Sequence, residues 1–215
     1  MTQPHLLLHH FPGACSQVSI CALEMAGLRY DLRLVDLIKG AQSMPDYLRI
    51  SPLGKVPLLL IDGEPLSENM AILTYIAGLR PDAGLFPANP SPRLYAEAIG
   101  GLSFCAGTLH PQIRGIANPM RITSGDEQGV RAKSTELTRK SFTYAEERLG
   151  TKGWWLGDWS IVDVYLNWAF GVASRAGFDA APFPRLASLP DRMAAIPAFS
   201  RMQDIEGTAR AELGL

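Results

Sequence analysis

The sequence predicts an α/β domain followed by an all-helical domain. Strand-like and helix-like apolar periods alternate through roughly the first 80 residues. Arg80 to Pro92 then carries four prolines and reads as a linker. Beyond it strand signals fade and helical spacing remains. The expected division is a first domain over 1–80, a linker over 81–92 and a helical domain over 93–215.

The elements follow in order. Leu6 to His9 is a short apolar run and predicts a strand. Ser16 to Ala26 carries Val18, Cys21, Ala22 and Met25 at helical spacing and stops at Gly27. Tyr30 to Leu37 alternates and predicts a second strand, and Pro45 to Arg49 a helical turn. Val56 to Ile61 is continuously apolar, the pattern of a strand buried on both faces. Asp62-Gly63 signals a hairpin turn into a short strand at Pro65 and Leu66. Asn69 to Leu79 places Ile72, Leu73, Ile76 and Leu79 on a helix. The order is β-α-β-α-β-β-α, with a right-handed crossover expected between parallel strands. In the second half Leu94, Ala98, Leu102, Cys105 and Leu109 form one helical stripe, weakened by Gly100, Gly101 and Gly107. Asp126 to Leu149 is a charged helix. Ser160-Ile161-Val162-Asp163 resembles a capping box with Asp in place of Glu, ahead of a buried stripe. Pro184 to Ala195 and Ala198 to Gly207 predict shorter closing helices.

Bulk properties narrow the function. The chain has 215 residues, 47% of them apolar, with 20 basic and 21 acidic side chains. No basic block points to nucleic acid. The longest apolar runs are too short for a membrane span, and no secretory signal is expected. Three widely spaced cysteines make no disulfide framework and fit a reducing, cytoplasmic setting. With no CxxC, HExxH or Cys/His cluster, no metal site is expected.

Chemistry concentrates in three places. Pro12-Gly13-Ala14-Cys15-Ser16 sets a thiol and a hydroxyl at a helix start, where unpaired N–H groups and the helix dipole favour a thiolate. That thiolate belongs to Cys15 or to a ligand. Val56-Pro57 opens an apolar run. Its bond is either trans, starting a plain strand, or cis, turning the Val56 main chain outward toward a peptide-like ligand. Ser67-Glu68-Asn69 opens a helix, either as a plain cap or as a seat for a ligand carboxylate, with Glu68 on a ligand ammonium.

The segments Pro12–Ser16, Ser51-Pro52-Leu53-Gly54-Lys55-Val56-Pro57 and Leu66-Ser67-Glu68-Asn69-Met70-Ala71-Ile72 resemble, in this order, the N-terminal signatures of the glutathione transferases. The likeness is to their bacterial beta-class branch. Leu109-His110-Pro111, the Trp154–Asp158 approach to Ser160–Tyr165, and Ile196-Pro197-Ala198-Phe199 are similar to the family's later landmarks. The resemblance implies a thioredoxin-like N-terminal domain plus an all-α C-terminal domain, a homodimer, and glutathione as co-substrate. It implies that Val56 pairs with the cysteinyl part of glutathione and that Pro57 is cis. Glu68 and Asn69 would hold the γ-glutamyl end, and Lys39 and Lys55 are candidates for the glycine carboxylate. Cys15, Ser16, His110 and His10 are the candidate catalytic residues. An electrophile site between the domains would draw on Ile113, Ile116, Met120, Trp168 and Phe170.

The chain departs from that pattern at three positions. His10 stands where beta-class members often carry Tyr, as a contact to sulfur or water or as a solvent-facing residue. Asn69 stands where Ser or Gly is usual, and Gly40 where some relatives have a second basic residue. The implied activity is transfer of glutathione to small electrophilic or hydrophobic compounds. The alternatives are monothiol disulfide reduction or peroxidase activity through Cys15, and a non-catalytic binding protein of the same fold. An isomerase or dehalogenase acting on one catabolic metabolite is also open.

Overall fold

A computed structural model describes residues 3–150 and 153–215. The elements in chain order are β1 (Leu6–His10), α1 (Ser16–Ala26), β2 (Asp31–Leu34), α2 (Pro45–Ile50), β3 (Leu58–Ile61), β4 (Glu64–Ser67) and α3 (Asn69–Leu79). They continue with α4 (Pro92–Ser103), α5 (His110–Ala117), α6 (Glu127–Leu149), α7 (Ile161–Arg175), α8 (Pro184–Ala187), α9 (Leu189–Met193) and α10 (Pro197–Leu213). The chain divides into two compact units, Met1–Leu85 with Ala194–Leu215, and Phe86–Met193. No described helix is long and apolar enough to cross a membrane.

The first unit has the expected β-α-β-α-β-β-α order. Its sheet runs β2-β1-β3-β4, with β1 parallel to β2 and antiparallel to β3, and β4 antiparallel to β3. Strand alternation sends Leu6, Leu8 and His10 to one face of β1 and Leu7 and His9 to the other. Helix α1 is buried on nearly every side and lies against α3 and α10. Two strands are shorter than the apolar runs suggest. β2 ends at Leu34 because the Asp36 carboxylate accepts from Ile38 N at 3.0 Å and Lys39 N at 3.1 Å, a local turn that leaves the ladder. β3 begins at Leu58 because Pro57 has no N–H to give, and the Val56–Pro57 bond is cis. Asp62 and Gly63 both take positive φ, as the two-residue hairpin requires.

Helix α10 is longer than expected and belongs to a different unit. The sequence places it in the helical domain over 93–215, yet it packs against α1 in the first unit. Ala198, Phe199, Met202 and Ala209 supply the buried face. Helical periodicity shows that a face is apolar, not which neighbour covers it.

In the second unit the stripe from Leu94 to Leu109 is helical throughout but not uniformly α. α4 passes into a π-helical stretch over Phe104–Leu109, which runs on with helical backbone angles into α5. Pro111 explains the change of winding, since it lacks the N–H for an i→i−4 bond and its ring crowds the carbonyl four residues back. Gly101 is a point of close approach rather than a weakness. A Cβ there would lie 2.5 Å from Trp155 Nε1 and 2.8 Å from Val162 Cγ1. Pro184 to Ala195 splits into α8 and α9, with Pro190 interrupting the hydrogen-bond run. Phe142 packs edge-on to Phe170, Phe178 and Phe183 at centroid distances of 5.2, 5.3 and 6.0 Å.

The capping box at α7 forms with Asp163 as its acid. Asp163 is fully buried. It accepts from Trp155 N at 2.7 Å, Ser160 N at 2.9 Å and Ser160 Oγ at 3.1 Å. Burial pushes its carboxyl up to about 6 against these bonds. Asp163→Ala leaves two buried N–H groups without acceptors, and urea denaturation should show a loss of about 3 kcal/mol. The raised pKa fixes a sign. Between about pH 4 and 6 the folded state binds more protons at this carboxyl than the unfolded chain, so its contribution to stability falls as pH rises. Stability measured against pH should lose that slope in Asp163→Asn.

Candidate functional site

The turn Phe11–Ser16 joins β1 to α1 and carries the thiol. Pro12 and Gly13, with Gly13 at φ 83°, bend the chain, and Ala14 N donates to Phe11 O at 3.0 Å. The positive φ is what calls for glycine there. Cys15 follows as the residue that caps α1, with 5% of its surface exposed. Its Sγ lies 4.0 Å from Val56 O. Cys21 and Cys105 are core residues. Burial pushes the Cys21 thiol up to about 12 and raises that of Cys105 as well. Cys15 alone of the three combines a helix start with a neighbouring peptide outside the strand ladder.

His10 and Ser16, expected as sulfur contacts, both face into the protein and have no exposed surface. His10 Nδ1 lies 2.8 Å from Ser16 Oγ. On its other side Nε2 lies 3.0 Å from Glu206 Oε1, out of line for a full hydrogen bond. Glu206 Oε2 accepts from Gly13 N at 2.7 Å. A carboxylate on the last helix therefore touches both ends of the thiol turn. This corrects the sequence reading, in which His10 stood near sulfur or solvent and Glu206 had no role. His9 is also a core residue, set edge-on to Tyr47 at 5.5 Å with its pKa lowered chiefly by burial.

The start of α3 is not the plain Ser or Asn side-chain cap that one sequence reading expected. Neither Ser67 nor Asn69 caps the helix with its side chain. Glu68 occupies the cap at φ 69°, a strained conformation for a residue with a side chain and typical of ligand-binding turns. Glu68 itself is exposed. Asn69 is buried, and its side chain is spent inside the protein: Nδ2 donates to Cys15 O at 2.9 Å and Oδ1 accepts from Ser19 Oγ at 2.6 Å. That leaves Asn69 its main-chain N–H, at the open end of α3, as a group for a ligand. The Asn69 side chain instead ties the Glu68 turn to the thiol turn.

The remaining candidates are spread around this core. Val56 precedes the cis bond and is half-buried. The segment before it is held by Tyr47, whose hydroxyl donates to Lys55 O at 2.7 Å. Lys55 is exposed. Lys39 is exposed, with Nζ 3.3 Å from Asp36. In the second unit His110 begins α5, with its ring 4.6 Å from that of Trp168. Ile113, Ile116 and Phe170 are buried within that unit, Phe170 in the phenylalanine cluster, while Met120 is exposed. No group of three or more His, Cys, Asp or Glu among the described residues is placed to hold a metal.

Sequence reasoning missed Glu206, Ser19 and Tyr47. Each is an ordinary helix residue by spacing, and the only available signal was a polar residue on an otherwise apolar face. The Asn69 contacts give a direct test. Asn69→Ala strips the Ser19 hydroxyl of its acceptor and Cys15 O of one donor, so thermal or urea unfolding should register a loss of about 1–3 kcal/mol.

Comparison with known proteins bears on the same segments. Residues 4–78 match the family described as glutathione S-transferase, N-terminal domain. A maleylacetoacetate isomerase of Pseudomonas aeruginosa is 32% identical over 183 residues, 83% of this chain and 85% of that protein. The glutathione S-transferase GST-4.5 of Xanthomonas campestris is 32% identical over 191 residues, 87% of this chain and 92% of that protein. Among solved structures, a glutathione transferase homologue from Sulfitobacter with bound glutathione superposes with TM-score 0.85. It is 28% identical, and the match covers 93% of this chain and 97% of that one. A bacterial beta-class glutathione S-transferase of Sphingomonas chungbukensis gives TM-score 0.81 at 31% identity, covering 94% and 98%.

Proposed function

The chain belongs to the glutathione S-transferase family, and we propose that it activates the glutathione thiol for attack on small electrophilic or hydrophobic compounds. Glutathione is the co-substrate. The observation that supports this reading best is the approach of Cys15 Sγ to Val56 O, 4.0 Å away, at the start of α1. An extended tripeptide paired with the Val56 main chain brings its own sulfur to the same helix start. A free thiol has a pKa of about 8.5, so the N–H groups and dipole there favour the ionised nucleophile.

In this reading Glu68 and the first N–H groups of α3 take the γ-glutamyl end, with Asn69 contributing through its main chain. Lys39 and Lys55 are the cations available to the glycine carboxylate. Ser16 is withdrawn from the sulfur by its bond to His10, which leaves Cys15 as the side chain beside it. His110 is the proposed proton-handling residue of the helical unit. The protein is expected to work as a cytoplasmic homodimer, on the strength of the family resemblance.

Monothiol chemistry is a second reading favoured by the same contact. A Cys15 thiolate attacks one sulfur of glutathione disulfide, forms a protein–glutathione disulfide and releases one glutathione thiolate. Maleylacetoacetate isomerases among the relatives make maleylacetoacetate an electrophile to assay beside an activated aryl chloride.

Calorimetry with reduced glutathione should show saturable binding. Absence of heat with millimolar glutathione in either redox form would end the reading. Cys15→Ala separates the two activities: glutathione-dependent disulfide reduction should fall to background, and aryl chloride conjugation should persist in part.

A further inference from the structure

We propose that Glu206 is a positioning residue for the thiol turn, and that it acts by fixing which nitrogen of His10 carries the proton. The consequence for catalysis rests on the glutathione reading above, whereas the proton assignment does not.

Glu206 is 8% exposed on α10, and His10 is fully buried on β1. A buried carboxylate is costly unless its oxygens are satisfied. Oε2 is satisfied by Gly13 N at 2.7 Å, a charge-assisted bond across 193 residues of sequence. Oε1 faces His10 Nε2 at 3.0 Å, and neither atom has a hydrogen-bond partner elsewhere. A bare nitrogen lone pair there would be repelled by the carboxylate oxygen, so Nε2 carries the hydrogen.

The rest follows from the donor and acceptor count. In its neutral form, the one the experiment below interrogates at slightly alkaline pH, the imidazole has one donor and one acceptor, so Nδ1 is the acceptor. Ser16 Oγ, 2.8 Å from Nδ1, is then the donor. The competing acceptor, Phe11 O, is 3.5 Å away and loses. The chain of contacts, two hydrogen bonds and the close His10–Glu206 approach between them, therefore has one polarity. Ser16 donates to His10, His10 turns its hydrogen to Glu206, and Gly13 donates to the same carboxylate. Glu206 thus commits the Ser16 hydrogen to the interior and seats Gly13, two residues before Cys15. Sulfur chemistry is left to Cys15 and the amides at the start of α1.

Glu206→Gln tests this with little change of shape. Glutamine offers one acceptor, and Gly13 N requires it. The amide nitrogen then points its hydrogens at His10 Nε2. The ring must move its proton to Nδ1, donate to Ser16 and release the Ser16 hydrogen. Imidazole 15N shifts of the full-length protein, recorded at slightly alkaline pH, report the proton's position. The expected result is a bare Nδ1 and a protonated Nε2 in the wild type, reversed in Glu206→Gln. Kinetics with glutathione should show kcat falling several-fold while KM changes little, because the main-chain contacts of Val56 and Glu68 lie on other segments.

A wild-type ring with hydrogen on Nδ1, alone or together with Nε2, overturns the proposal, and this measurement needs no variant. An unchanged tautomer in folded Glu206→Gln, or KM rising as kcat holds, overturns it too. Failure of the glutathione reading looks different: no binding by calorimetry in a protein whose His10 proton still sits on Nε2.

Discussion

The rest of the structure is arranged around the turn Phe11–Ser16, where Pro12, Cys15 and Ser16 are buried and Phe11, Gly13 and Ala14 half-buried. A thiol has to sit at the mouth of a buried helix while the polar groups around it are kept satisfied. Groups withdrawn from water need protein partners. The partners come from three places in the chain: Asn69 on α3 takes the Cys15 carbonyl, His10 on β1 takes the Ser16 hydroxyl, and Glu206 on α10 takes the Gly13 N–H. Remove any one and a polar group is stranded in a core of Val18, Ile20, Leu23 and Ile72.

This accounts for the grouping of α10 with the first unit. Its apolar face covers α1, and its one deeply buried carboxylate reaches the thiol turn. Arg201 of the same helix pairs with Glu24 near the other end of α1 at 2.6 Å. That exposed ion pair adds little stability in water but helps set the helix register. The second unit solves a similar problem with Asp163, which satisfies the entry to α7 and the Trp155 N–H together. In both units a buried acid reaches a backbone N–H on another segment, Trp155 for Asp163 and Gly13 for Glu206.

Much of this was legible in the chain. The order of strands and helices in the first unit, the Asp62-Gly63 hairpin and the Ser160–Asp163 cap are local matters, and short-range stereochemistry decides them. The thiol turn was legible for the same reason: Pro, Gly and then Cys-Ser ahead of a helical stripe mark a helix start. Boundaries were less so. β2 stops early because one Asp36 carboxylate competes with the ladder, and the α4 stripe changes to π winding because Pro111 acts on the residues before it.

The order of residues is enough to set the α/β-then-helical architecture, the glutathione transferase signatures and the position of Cys15 at a helix start. Tertiary structure alone decided that His10, Ser16 and Asn69 face inward and that Glu206 closes the network. It also decided that α10 belongs with the first unit. The physical reason is range. Periodicity and turn chemistry act over a few residues and can be read along the chain. Which buried donor meets which acceptor across 193 residues depends on how the apolar faces pack.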